Sequence, residues 1–432
     1  MTDSSSPRRR FLAGIASAGA AATAGCSGLP FGDGQEPRAD PVSLPSDAIG
    51  PTDRPASPFP ATVPGALADA HETRTRGLLD AVPTEPSLPN EAVATEIGAD
   101  RERALGRARA DIPDRWSIDI LAAWRRRRGD AATVRGAYRA ATGVDDGSDL
   151  VARRREIRDD SAALAGDLEY RAGSVEEAVV AYEPVESLLA ECARHVRPRV
   201  RYPDDPISDP FRAGEAVGGV ERGRATAADA AGLRSAFLAE GDSASPQWGT
   251  LIAAAEELRG SVSRTHSAVR ERVGGAGDDS SSGGDLSGTV AQELLTASER
   301  RVESAVEEVE EAADAGEPAT ATVEAGVALA AIDALRAANA EIGEGRYREA
   351  PTESSVRSAA ERARSGVDTA VDGADPLATR LVRPAFETLE LLDDRVEEGY
   401  APPRQVTAEL AFVALYASAV PRATAFVRER LD

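Results

Sequence analysis

From residue 65 onward, apolar residues recur every third or fourth position almost without a break, and no stretch alternates convincingly as a half-buried strand would. That period constrains the fold more than any other feature. Helices carrying an apolar stripe must bury it against other helices, so the chain is expected to be all-α. The arrangement is expected to be an antiparallel helical bundle or an irregular helical-hairpin solenoid, in one body or in two halves. Trp116, Ile120 and Trp124 repeat every fourth position and define one core-facing stripe. Val185, Leu188, Leu189, Cys192 and Val196 define another, on a helix that the Ser174…Glu177 capping box opens and Pro184 kinks. Ser245-Pro246 starts a helix with the stripe Trp248, Ile252, Ala255, Leu258, Val262, Val269 and Val273. Val302, Val306, Val309 and Ala313 face one way, with Glu303, Glu307, Glu308, Glu310 and Glu311 on the solvent side. Leu377, Leu381, Ala385, Leu389, Leu392 and Val396 form a further stripe interrupted by Pro384. The last helix, near Val406 to Arg430, is the most apolar, but Glu409, Pro421 and Arg422 mark it as a core helix rather than a membrane span.

The first 64 residues read differently. The apolar run from Phe11 to Ala24 is shorter than the ~20 residues that a bilayer span requires. It has arginines before it and small residues at its end, as a secretory signal does. Arg8-Arg9-x-Phe11-Leu12 resembles the twin-arginine export signal, which implies passage across a membrane in the folded state. Thr23-Ala24-Gly25-Cys26 is similar to a lipobox, and that resemblance implies cleavage before Cys26 and a lipid on its sulfur. Residues 1–25 are accordingly read as a signal peptide. Nine prolines between Ser27 and Pro64, mixed with Gly, Ser, Asp and Thr, favour extended chain, so residues 26–64 are read as a lipid-anchored tether. The run GGAGDDSSSGGDLSG, residues 274–288, is read as a flexible linker between helical regions 65–273 and 289–432.

The formal charge is −23, aromatic residues are 4% of the chain, and every basic residue is arginine. This composition resembles that of secreted proteins of salt-loving archaea. At 1 M salt the Debye length is about 3 Å, so acidic self-repulsion is screened and the acid surplus reports solvent rather than a basic partner. With Cys26 assigned to lipid, Cys192 has no cysteine to pair with, and its place in an apolar row marks it as a buried thiol rather than a nucleophile. Neither Asn90 nor Asn339 opens a glycosylation sequon.

Chemistry-bearing motifs are sparse. His71-Glu72 begins the zinc-protease helix pattern but lacks its second histidine, so no metal site is expected. His266 lies on the apolar stripe between Val262 and Val269, read as a core histidine and, for an enzyme, as the first residue to test. His195 stands near a helix end beside Arg194 and Arg197, where a cation suits the helix dipole. Phosphate loops, dinucleotide fingerprints, nucleophile elbows and paired CxxC motifs are absent, and no cofactor is expected. Residues 101–201 hold 20 arginines against 18 acids, in contrast to the acidic remainder. Arg125, Arg126, Arg127 and Arg128 are the candidate contacts for an anionic partner there; the competing reading is pairing with nearby acids. Gly173-x-Val175-x-x-Ala178-x-x-x-Tyr182 resembles the turn and second helix of a tetratricopeptide repeat. Gly129-x-Ala131-x-x-Val134-x-x-x-Tyr138 is similar to it, and Gly345-x-Tyr347-x-x-Ala350 begins the same way. The first two lie 44 residues apart, against the family period of 34.

These features together lead to the expectation of a lipoprotein on the outer face of the cytoplasmic membrane, acting as a helical adaptor or scaffold for another envelope protein. A solute- or metal-binding lipoprotein feeding a transporter is the alternative. Catalysis is less expected than binding, and nucleic acid is not an expected partner of an exported chain.

Overall fold

The computed structural model describes residues 44–50, 54–108, 117–144, 147–197, 199–241, 244–276, 286–373 and 375–432. Twelve helices occupy these residues. They are α1 (Gly65–Asp80), α2 (Glu91–Ala108), α3 (Ile118–Ala141), α4 (Leu150–Gly166), α5 (Val175–Val196) and α6 (Pro210–Glu240). These are followed by α7 (Trp248–Ala276), α8 (Val290–Ala315), α9 (Pro318–Gly343), α10 (Glu353–Val371), α11 (Pro376–Glu397) and α12 (Pro403–Leu431). Two-residue strands β1 (Arg171–Ala172) and β2 (Ser245–Pro246) pair antiparallel, Arg171 opposite Pro246 and Ala172 opposite Ser245. The all-α expectation holds. The export-signal residues Arg8, Arg9, Phe11 and Leu12, together with Cys26 and Trp116, lie outside the described residues.

Local chemistry sets the helix starts. Ser117 accepts from the Ile120 amide at α3 and Thr289 from the Gln292 amide at α8, while Thr352 and Ser355 exchange bonds as a capping box at α10. At α5 the Ser174 hydroxyl accepts from the Glu177 amide, while the Glu177 carboxylate reaches back to the Gly173 amide at 2.7 Å. Pro184, Pro384 and Pro421 sit inside α5, α11 and α12 without ending them.

In the N-terminal half, α3 packs along α6, flanked by α1 and α5. Glycine makes that approach close. A Cβ on Gly214 would stand 2.4 Å from the Thr133 carbonyl oxygen, and one on Gly218 would stand 2.0 Å from the Thr133 hydroxyl. Gly129 and Gly136 lie on the opposing surface of α3, and Gly129 is buried mid-helix beneath the Arg222 side chain. This corrects the repeat resemblance at Gly129, which serves a helix crossing and makes no turn.

The C-terminal half is built around α9, whose buried residues include Ala319, Ala321, Ala325, Ala328, Ala330, Ala331, Ala334 and Ala338. Alanines around most of its circumference let α7, α8 and α12 pack close, while Asp333 pairs with Arg336 and with Arg422 of α12. Both α9 and α12 are long and apolar enough to cross a membrane, and both are largely buried in this core. The predicted α11 stripe, Leu377 to Val396, is buried throughout. On α7 the core is led by Leu251, Leu258 and Val262, and Trp248 is left 44% exposed.

Two sequence-based boundaries change. The helix α7 packs with α8, α9 and α12, so the change of packing partner falls near residues 241–247 and not at 274–288. The Gly/Ser/Asp run connects two helices of one half; its residues 277–285 lie outside the described residues. The described part of the tether is packed. Ala48 and Ile49 are buried in the large core, Asp47 pairs with Arg357 of α10, and Arg54 pairs with Glu387 and Glu390 of α11. Ser57 donates twice to Asp119 of α3, at 2.8 and 2.9 Å, and Arg383 of α11 binds the same carboxylate at 3.0 Å. Burial pushes the Asp119 carboxyl up, but these donors outweigh it and hold the group below its ordinary range. Leu44, Ile49, Phe59 and Val63 supply the apolar contacts that a purely polar tether lacks.

Candidate functional site

The arginine run of α3 faces inward at two of its four positions. Arg125 donates to the Asp229 carboxylate of α6 at 2.8 Å and lies 3.6 Å from Glu191 of α5. On the other Asp229 oxygen sits His71 Nε2 of α1, also at 2.8 Å. Asp229 is 0% exposed and His71 1%. Glu191 continues the chain of contacts to His195 Nε2 at 3.2 Å. One turn along α3, Arg128 binds Glu221 of α6 at 2.8 Å, and Arg74 of α1 grips the same carboxylate through Nε and Nη2 at 3.0 and 3.3 Å. Burial raises Glu221 and Glu191, yet the charged donors around each more than offset it and hold both below the ordinary range. Arg127 lies over the Trp124 ring at 4.7 Å, and Arg126 is exposed.

The candidate anionic-partner face is therefore corrected. Arg125 and Arg128 are internal counter-charges that tie α1, α3, α5 and α6 together, which leaves Arg126 as the exposed member of the run. The other sequence candidates are likewise enclosed or isolated. His71 has Asp229 and no second histidine, and no group of three metal-ligating side chains occurs among the described residues. The Cys192 thiol is buried, donates to the Gly223 carbonyl at 3.4 Å, and is pushed up by burial. His266 is half-buried, and burial with nearby Arg270 lowers its proton affinity.

Many of the side chains that join the two halves come from α5, beside the Arg383–Asp119 contact of α11 with α3. Its first turns contribute Val175, Ala178, Val179 and Tyr182 to the core of the C-terminal half; its later turns place Val185, Leu188 and Cys192 in the cores of the N-terminal half. Three acids on this helix end on elements of the C-terminal half. Glu176 binds Arg428 of α12 through two bonds of 2.9 and 2.7 Å. Glu183 pairs at 2.6 Å with the buried Arg380 of α11, which also donates to the Pro58 and Val180 carbonyls. Glu186, 1% exposed, accepts from the Tyr170 hydroxyl and from the Ala319 and Thr320 amides at the start of α9. Sequence reading missed this joint. The available signal was Glu186 itself, an acid beside Val185 in an otherwise apolar row.

Accessible concave surface lies elsewhere. A groove of about 660 Å³ runs between α10 and α12, lined by Ser358, Ser365, Gly366, Thr369, Ala417 and Ser418. The helices approach through small residues, since a Cβ on Gly366 would stand 3.3 Å from that of Ala417. Pro421 has no N–H, which removes the helical donor for the Ala417 carbonyl on the groove wall. A second depression of about 500 Å³ at Thr352, Ser354 and Arg357 shares Ser358 and Glu361 with it, so the two form one channel along α10. The buried His71–Asp229–Arg125 cluster lines neither, and its chemistry is that of a structural tie.

Residues 66–243 match a family model described as a domain of unknown function (DUF8262), and residues 248–429 match another described as a domain of unknown function (DUF8264). The two matches meet at the change in packing partner before α7. No curated protein and no solved structure matches the chain.

Proposed function

We propose that this chain is a cell-surface lipoprotein, exported through its Arg8-Arg9 signal and held by a lipid on Cys26, whose helical body retains an envelope protein in the α10–α12 channel. The observation that carries the reading is the open, hydroxyl-lined channel on a body whose halves are locked together. Small side chains leave room for protruding residues of a partner helix or loop, and Glu361 and Arg362 offer it both signs of charge. Hydroxyl and backbone contacts of this kind keep their strength in concentrated salt, where diffuse attraction is screened. Arg126 is the exposed remnant of the basic run and is peripheral to this surface.

A tagged chain is cross-linked in intact cells and recovered in molar salt, beside a Ser365→Trp variant that fills the channel from an exposed position. Capture of one specific envelope protein, lost in the variant, is the expected result. Equal capture by both chains removes the channel from the interaction. Absence of any captured protein, with a melting temperature raised by a small solute, replaces the adaptor by the solute-binding alternative. The anchor is tested separately: Cys26→Ser should release the chain into the medium, and continued membrane retention refutes lipid attachment at that residue.

A further inference from the structure

We infer that the α10–α12 channel holds a second copy of this chain, with the two α10 helices antiparallel about a two-fold axis so that each lies in the other's channel. The inference rests on the channel reading proposed above and names its occupant. Along the channel, Ser354, Ser358, Glu361, Arg362, Ser365 and Thr369 of α10 are exposed; Val356, Ala359, Ala363 and Val367 form the buried face of the same helix. The exposed row keeps its residue classes when read backwards. Its centre lies between Glu361 and Arg362, at the middle of α10; Ser358 and Ser365 stand equally far from it, and so do Ser354 and Thr369. Residues three and four apart share a helix face, so the row occupies one side of α10. A two-fold contact sets a surface against itself. About this centre it brings Ser354 opposite Thr369 and Ser358 opposite Ser365, hydroxyl to hydroxyl, and it brings Glu361 opposite Arg362 twice.

Charge complementarity singles out this occupant. Among the described residues neither Glu361 nor Arg362 has an ion-pair partner, whereas Arg357, one turn earlier, is engaged by Glu353 and Asp47. Neighbours in sequence do not face each other on a helix, so the two cannot satisfy one another within one copy. A second copy satisfies both at once. The flanking serines and threonine are small, which permits the short interaxial distance that close helix packing needs. On the other wall, the Ala417 carbonyl lacks its helical donor because of Pro421, and a hydroxyl or guanidinium of the second copy supplies one. The net charge of −23 opposes self-association at long range, but in molar salt it is screened beyond about 3 Å, which leaves the contacts of the row to decide. With 19 residues α10 is about 28 Å long, and α10 beside α12 presents a strip roughly 20 Å wide. Two copies would bury on the order of 1,100 Å², near the boundary between transient and stable interfaces, so the dimer dissociates on dilution.

Sedimentation velocity over a concentration series in molar KCl measures the association, using the full chain with Cys26→Ser so that no lipid contributes. This chain should dimerise reversibly. Glu361→Arg and Arg362→Glu, both at exposed positions, each set like charges against each other at both crossings and should weaken the dimer about tenfold or more. An equimolar mixture of these two variants should regain it, because every acid then meets a base. A chain that stays monomeric, single variants that dimerise as well as their parent, or a mixture that remains monomeric overturns the inference. A dimer that persists in Ser365→Trp lies away from the channel and overturns it as well. The channel reading fails separately: if Ser365→Trp loses a captured envelope protein while the parent chain is monomeric, the channel stands and the second copy falls.

Discussion

Replacing Asp229 by asparagine tests whether the buried cluster between α1, α3 and α6 holds the N-terminal half together. Both carboxylate oxygens are engaged at 2.8 Å, one by His71 Nε2 and one by Arg125 Nη1, and the residue is fully buried. Asparagine keeps the shape but removes the charge. Its amide can offer oxygen to Arg125 only by presenting N–H to His71 Nε2, and a ring that accepts there carries its proton on Nδ1, which is buried without a protein partner. Arg125 is then left with Glu191 at 3.6 Å. Removing one partner of a buried pair costs about 3–5 kcal/mol, because the remaining charge stays desolvated. For a cooperative unit of 150–250 residues each kcal/mol lowers Tm by about 2–4 °C, so the variant should melt roughly 6–20 °C below the native chain. Scanning calorimetry in molar KCl measures this, and the deficit should persist as salt is raised, since buried pairs are poorly screened. The triple variant His71→Leu, Arg125→Met and Asp229→Leu should recover most of the loss, because it leaves neither an uncompensated charge nor an unpaired imidazole. A loss below about 1 kcal/mol in Asp229→Asn, or a triple variant no better than the single, would refute the reasoning.

Glycine substitutions should separate close packing from helix propensity. Gly214→Ala, with its new Cβ 2.4 Å from the Thr133 carbonyl, should destabilise by about 1–3 kcal/mol in urea titrations, whereas Gly77→Ala, exposed on α1 with open space around it, should stabilise by about 0.5–1 kcal/mol. Equal effects would show that α3 and α6 do not cross as described. Acid stability should follow Asp119, Glu191 and Glu221, all held below their ordinary range: their contribution is complete above the unfolded carboxylate values and is lost as pH falls through the folded ones. Melting temperature should therefore drop below about pH 4, with a shallower slope in Glu221→Gln. An unchanged slope in that variant would remove Glu221 as a contributor.

The sequence by itself determined the helices and which face of most of them is apolar. The rows Val185 to Val196 and Leu377 to Val396 are buried as their period requires, because periodicity is local and one stripe has one place to go. Cys192 as a buried thiol, and the capping at Ser174 and Glu177, were legible for the same reason: each depends on residues within a few positions along one helix. Partnership was not legible. Arg125 and Arg128 look like a basic surface run until α6, some hundred residues away, brings Asp229 and Glu221 onto them. Gly129 looks like a turn residue until the crossing with α6 shows that it admits a neighbouring side chain. The proline-rich composition of residues 44–64 concealed that Ile49 and Val63 reach the core, since composition averages over the few side chains that pack. Likewise the Gly/Ser/Asp run has the composition of a domain boundary, but α7 before it and α8 after it share one core. Charge pairing, glycine contacts and the sharing of α5 between two cores all join residues distant in sequence. Tertiary structure alone decides them, because a side chain's period names its face and only the fold names what meets it.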